Sequence, residues 1–201
     1  MKIERILSMV ILFSTCMACN SKKNDFVFAP KIAKTVPAAY YNATDSNFTT
    51  HLDTLLYKNK LFSGIQYALN EQGDTVQLGS FFNGVEEGLQ QKWYAKGKPQ
   101  ERRFYINGKK ERNQRGWWPN GQIKFDFNTY NDEYEGTFRE WIENGLLIKQ
   151  FHYEHGYEQG SQRLWWTDGT VRANYVIKDG KKYGLLGLKI CTNPYDSVSK
   201  K

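Results

Sequence analysis

Three sets of side chains in this 201-residue chain have the types and spacing to do chemistry. His152 and His155 stand close enough in sequence to share a cation. However, His155 fills a slot that asparagine holds elsewhere in the chain, His152 falls in a strand-like stretch, and no third ligand lies nearby, whereas a closed metal site needs about four ligands. Surface histidines are therefore expected, with no metal and no cofactor. The carboxylates Glu86, Glu87, Glu133 and Glu135 are candidates for an acid–base pair. They cluster beside glycine-marked turns, where solvated charge accounts for them better than paired catalysis. No nucleophile elbow, phosphate loop or zinc-protease helix signature occurs, so no catalytic residue is assigned and the chain is read as not an enzyme. The third set is Arg115/Trp117, Arg139/Trp141 and Arg163/Trp165. A guanidinium two residues before an indole can stack on it and meet an anionic group, which makes these six residues the candidate binding surface.

The elements that position them follow from a period. Aligned on Asn-Gly dipeptides, units begin at Asn59, Asn83, Asn107, Asn131, His155 and Asp179, 24 residues apart without insertion. Glycine recurs at the second position (Gly84, Gly108, Gly156, Gly180), the sixth (Gly64, Gly88, Gly136, Gly160, Gly184) and the fifteenth (Gly73, Gly97, Gly121, Gly145, Gly169). Tryptophan recurs at the eleventh (Trp93, Trp117, Trp141, Trp165). A fixed period in this range marks an array of stacked units. Within a unit, a first segment such as 89–94 runs into a turn at Lys96-Gly97, Asn120-Gly121, Asn144-Gly145 or Asp168-Gly169. A second, alternating segment such as 147–153 then reads as a strand. Each unit is a β-hairpin, and tight turns between hairpins permit only an antiparallel meander. The fold class is all-β, an elongated ribbon of about ten strands, roughly 50 Å long at 4.8 Å per strand.

Alternation along a strand places the ninth and eleventh positions on one face, so Arg115, Arg139 and Arg163 form a column at a pitch of about 9.6 Å. Tyr94, Trp118, Ile142 and Trp166, at the twelfth position, face the other way. Two readings follow. In one, the tryptophans pack under a cover, arginine stems shield their edge and acidic residues on adjacent strands neutralise the column. In the other, the guanidinium groups stack on the indoles as a cationic ladder that meets successive anionic groups.

The glycine, aromatic and Asn-Gly spacing of Gly84/Gly88/Trp93/Gly97 and its equivalents resembles the MORN family in its 24-residue bacterial variant, closest to the YwqK-type proteins. The likeness covers residues 59 to about 190. Departures are Leu69 at the tryptophan slot, Arg112 at a sixth-position glycine and Asp132 at a second-position glycine. The resemblance implies membrane association, protein scaffolding or an antitoxin-like or immunity partner.

At the N-terminus, Lys2 and Arg5 precede the apolar run 6–13, which is too short to span a membrane at roughly 20 residues, and small residues lead to Ala18-Cys19. The boundary resembles the lipobox of bacterial lipoproteins, which implies cleavage before Cys19 and lipid on its sulfur. The expected organisation is a signal peptide at 1–18, a tether at 19–50, a capping strand at 51–58, the MORN-like repeat sheet at 59–190 and a tail at 191–201. Cys191 would then be the only free thiol, in a short apolar run. Losing Lys2, Arg5 and Glu4 lowers the formal charge only from +7 to +6. Outside the cytoplasm a basic chain meets acidic lipid, glycan or protein before nucleic acid.

The expected function is a protein-interaction scaffold lipid-anchored in the bacterial cell envelope through Cys19. The alternatives are an anionic lipid-headgroup or carbohydrate-binding module, and a YwqK-type antitoxin-like partner. An exported protein is in the wrong compartment for a cytoplasmic toxin, although an exported effector fits.

Overall fold

The computed structural model describes residues 31–187; the expected signal peptide, Cys19, Cys191 and the C-terminal tail lie outside the described residues. The strands are β1 (Tyr40–Asn42), β2 (Phe48–His51), β3 (Thr54–Tyr57), β4 (Lys60–Leu61), β5 (Gly64–Leu69), β6 (Thr75–Phe82), β7 (Val85–Trp93) and β8 (Pro99–Ile106). They continue as β9 (Lys109–Lys110), β10 (Arg112–Trp117), β11 (Ile123–Tyr130), β12 (Glu133–Trp141), β13 (Leu147–Glu154), β14 (Tyr157–Trp165), β15 (Val171–Lys178) and β16 (Lys181–Leu185). From β5 to β16 the strands form an antiparallel meander within one 13-stranded sheet, one hairpin per 24-residue unit, with β8 paired to both the short β9 and β10.

Two turn types alternate along it. At the first and second positions, Asn83–Gly84 (φ 50° and 81°) and His155–Gly156 (51° and 80°) have both central residues left-handed, the type I′ hairpin that asparagine and glycine favour. Asp132 fills a glycine slot at φ 72°. Its carboxylate accepts the Lys110 N–H at 2.8 Å, which offsets a left-handed cost of about 1–2 kcal/mol. At the other edge the fifteenth-position glycine alone is left-handed, as at Gly145 (φ 87°), except at Lys96–Gly97, where both residues are (φ 62° and 69°). The preceding asparagine or aspartate does not supply a second positive φ; its side chain accepts the N–H two residues on, Asn120 from Gln122 at 3.0 Å and Asp168 from Thr170 at 2.8 Å. The Thr170 hydroxyl, and after it the Thr170 N–H, both donating to the Asp168 carboxylate, hold its pKa below the usual value.

The ladder is interrupted in every hairpin, with a register shift immediately before the eleventh position. A second irregularity faces the sixth-position glycine, where Ser80 and His152 each stand opposite three residues of the next strand. There the eighth-position glutamine supplies the missing rung. The fully buried Gln114 donates to the carbonyls of Phe104 (3.2 Å) and Glu111 (2.8 Å) and accepts the Phe104 N–H at 3.2 Å. Gln90 donates to the Ser80 carbonyl at 2.6 Å, and Gln162 to that of His152 at 2.9 Å. In the fourth unit Phe138 takes this position and stacks on Phe127 at 5.0 Å.

Gln114 pairs across the ladder with Phe127, and so shares a face with Phe127, Phe138 and Phe151. This aromatic face holds most of the buried apolar residues, with Phe127, Phe151, Tyr153 and Tyr175 each no more than 9% exposed. The tryptophan column is only half-buried.

The N-terminal cover is larger than one strand. β2, β3 and β4 form a separate three-stranded sheet, and β1 adds to the edge of β5 in the parallel sense. Phe48, Tyr41 and Tyr57 close on the buried Phe62, which also contacts Phe81 at 5.9 Å. The tether expected through residue 50 therefore carries two of the capping strands, because its aromatic residues, Tyr41 and Phe48, have this cluster to bury in.

Replacing Gln114 with leucine keeps the volume and strands the Phe104 N–H and Glu111 carbonyl, at about 1–3 kcal/mol each. Urea unfolding is expected to show a loss of about 2–4 kcal/mol; stability within about 0.5 kcal/mol of the parent would show that the side chain is not a rung of the ladder.

Candidate interaction surface

The face opposite the aromatic one carries an unbroken cross-strand row. Leu78 pairs with Gln91, Gln91 with Arg102, Arg102 with Arg115, Arg115 with Asp126, Asp126 with Arg139, Arg139 with Gln150, Gln150 with Arg163, and Arg163 with Asn174. Arg115, Arg139 and Arg163 are thus brought onto one line. The exposed Arg102, on a return strand at the twentieth position, joins them. It escapes a reading confined to first strands, although its place opposite Arg115 follows from the hairpin register.

Neutralisation is partial. Arg115 donates from Nε to Asp126 Oδ2 at 2.8 Å, with a second contact from its Nη2, while Asn113 donates to the other oxygen at 2.6 Å. Arg139 faces an amide, Gln150 Oε1 at 3.4 Å, and Arg163 is paired across the ladder with Gln150 and Asn174. Four arginines share one aspartate along this row.

Of the two readings of the column, the stacking of each arginine on the tryptophan two residues on does not occur among the described residues. Trp117, Trp141 and Trp165 share the arginine face, but the cation–aromatic contacts form nearer the loops, Lys124 over Trp118 at 4.4 Å and Arg172 over Trp166 at 4.6 Å. Lys124 is the extra residue at the register shift between Gly116 and Trp117, which carries its ammonium beside the twelfth-position ring. That position also clamps neighbouring units: Tyr94 donates its hydroxyl to the Trp117 carbonyl at 3.0 Å, and Trp118 its Nε1–H to the Trp141 carbonyl at 2.9 Å.

The fifth-position carboxylates are not solvated turn charge. Glu87 has no exposure and Glu111 is 3% exposed. Each accepts the first backbone N–H of the next unit's turn: Glu87 from Asn107 at 2.7 Å, Glu111 from Asn131 at 2.8 Å and Glu135 from His155 at 2.9 Å. Ser63 does the same for Asn83 at 2.8 Å. The 24-residue recurrence of Glu87, Glu111 and Glu135 was the available signal. Glu86, one residue earlier, is half-buried on the aromatic face. Burial raises its pKa, against the pull of Lys110, Arg103 and Lys92.

His155 Nδ1 lies 4.0 Å from Glu135, and His152 Nε2 lies 3.7 Å from Glu154. Among the described residues no three histidine, cysteine, aspartate or glutamate side chains are placed to hold a metal ion.

Residues 31–39 run back along the Asn-Gly edge as a strap. Lys31 pairs with Glu111, lies over the Tyr130 ring at 4.4 Å and offers its carbonyl to Arg112 Nη2 at 3.2 Å. The Lys34 N–H reaches Glu87 at 2.8 Å, and the Ala39 carbonyl accepts the Ile65 N–H at 2.8 Å. Arg112, left-handed in a glycine slot at φ 65°, is held by this strap and by Phe104, whose ring centre is 4.2 Å away.

A scan against protein-family models matches none, and a search of curated proteins finds no match.

Replacing Glu111 with alanine removes an acceptor from both the Asn131 turn and the strap. Trypsin is expected to cut after Lys31 several-fold faster, and unfolding to lose about 1–3 kcal/mol. Cleavage at the parent rate would show that the strap is held by other contacts.

Proposed function

We propose that this protein is a membrane-anchored, MORN-like scaffold that presents a rigid β-ribbon to a protein partner in the cell envelope. The observation that carries this reading is the division of labour among its polar groups. The buried glutamates and glutamines are bonded chiefly to the sheet's own main chain, while Arg102, Arg139 and Arg163 and the rings of Tyr157 (78% exposed) and Trp166 (49%) remain open. An array of that kind offers surface without a reaction centre. The leader before Cys19 supports the anchor, since lipidation by more than one chain holds a protein stably at a membrane. No helix among the described residues is long and apolar enough to cross one. An exported effector is one partner that fits an antitoxin-like role.

The Cys19→Ala chain is expected to leave the membrane fraction while keeping its thermal midpoint, because the anchor precedes the strap and sheet. Crosslinking the parent in membranes should return one stoichiometric protein. Retention of the variant in membranes would remove the lipid anchor, and a crosslinked sample without a stoichiometric protein would remove the scaffold.

A second reading, an anionic lipid headgroup or acidic glycan bound along the arginine row, is favoured by the amide rather than carboxylate partners of Arg139 and Arg163. Replacing Arg115, Arg139 and Arg163 together with glutamine is expected to weaken binding to anionic liposomes or acidic glycans by tenfold or more, with a matching loss of salt sensitivity. Equal binding by parent and variant rejects it.

A further inference from the structure

The aromatic face changes character along the array. At the twenty-first position the residues read Gly79, Arg103, Phe127, Phe151 and Tyr175. From Phe127 onward the rings fill the face; before it they give way to glycine and arginine, and a groove of 540 Å³ opens over β6 to β8, bounded by Tyr134 on β12. A groove of this size falls within the roughly 300–1,000 Å³ typical of small-molecule sites.

Its lining is balanced in charge. Lys92, Arg103 and Lys110 face Glu86, Glu101 and Asp132. Arg103 is paired with Glu101, and Lys110 lies 3.9 Å from Asp132, so four of the six charges hold one another in place. A strongly anionic or cationic ligand would have to break these pairs. The Glu86 carboxylate is half-buried and has no hydrogen-bond donor among the described residues. Gln90 crosses the groove floor where Gly79 leaves room, since a Cβ there would come within 2.5 Å of its Oε1; with its amide nitrogen spent on Ser80, that oxygen is left as an acceptor.

The aromatic wall is rigid. Tyr134 is 37% exposed and its ring is held by Phe127 at 5.1 Å, Phe138 at 5.4 Å and Tyr153 at 5.0 Å. An accessible, immobilised ring on β12 at one end of the groove, with acceptors on β7 at the other and paired charges between, suits an elongated ligand with apolar C–H faces and hydroxyls that both donate and accept.

We propose that this groove is a binding site for a neutral oligosaccharide, one sugar stacked on Tyr134 and others along the chain donating hydroxyl hydrogens to Glu86 and Gln90. It lies on the face opposite the arginine row and depends on neither reading of that row.

The test uses the full chain in a zwitterionic detergent without a sugar headgroup, titrated calorimetrically with tetrasaccharides of β-1,4-linked glucose, β-1,4-linked N-acetylglucosamine and α-1,4-linked glucose, and with tetragalacturonate as an acidic arm. At least one neutral sugar is expected to bind. Tyr134→Ala should weaken it about tenfold or more and Glu86→Gln several-fold, while the triple arginine variant binds as the parent does. Glu86→Gln changes one surface-accessible charge and keeps the test decisive where Tyr134→Ala perturbs the aromatic cluster. Absence of binding by all three neutral sugars, tighter binding of the acidic sugar, or affinity unchanged in Glu86→Gln overturns the proposal.

Discussion

A sheet built from one layer of hairpins has to satisfy its main chain from within, because a buried N–H or carbonyl without a partner costs as much as a lost hydrogen bond. Here the ladder is broken at the register shift before the eleventh position and, in the units that begin at Asn83, Asn131 and His155, again opposite the sixth. Regular strands would avoid this but would remain flatter, and bulges are what bend and twist a sheet enough to bury one of its own faces. Side chains make up the deficit. The eighth-position glutamine serves as a rung inside the unit, and the fifth-position glutamate ties each unit to the turn of the next. The hairpins are thereby coupled in series at both edges, by glutamates at the Asn-Gly turns and by Tyr94 and Trp118 at the loops.

The same coupling explains the strap. Glu87 and Glu111 are buried carboxylates with acceptor capacity beyond one turn N–H, and the Lys34 N–H and the Lys31 ammonium take up that remainder. Among the described residues Glu135, one unit further, accepts from its turn and lies beside the His155 ring.

The fold was legible because its strongest constraints act through residue types with few substitutes. A type I′ turn asks for left-handed residues at two successive positions, and Asn83-Gly84, Asn107-Gly108 and His155-Gly156 announce it every 24 residues. Departures such as Asp132 and Arg112 keep the left-handed backbone and recover its cost through local contacts, so they do not shift the register. The site was less legible. A lone glutamate beside a turn has the same local sequence whether it is solvated or, like Glu87, fully buried against the next unit, and only its recurrence separates the two. The ladder of arginines followed from strand alternation. The stacking did not: among the described residues the cations that lie over indoles are Lys124 and Arg172, the extra residues at the register shifts, and the rings they cover are Trp118 and Trp166 at the twelfth position. The capping strands were hidden by a polar, turn-rich stretch whose few aromatic residues have meaning only against Phe62.

Positions tied to turns and rungs cannot vary without a structural cost, so differences between units collect elsewhere. The fourth position reads Phe62, Glu86, Lys110, Tyr134 and Glu158, and the twentieth reads Leu78, Arg102, Asp126, Gln150 and Asn174. These side chains stand on opposite faces at fixed intervals, and neither position closes a turn. A repeat frame of this kind separates stability from recognition. The aromatic half, from Phe127 to Tyr175, holds most of the buried apolar rings, which leaves the units before it free to exchange rings for paired charges. The groove bounded by Glu86 and Tyr134 lies at the boundary between those two regimes, where a rigid ring and a set of polar groups meet on one face.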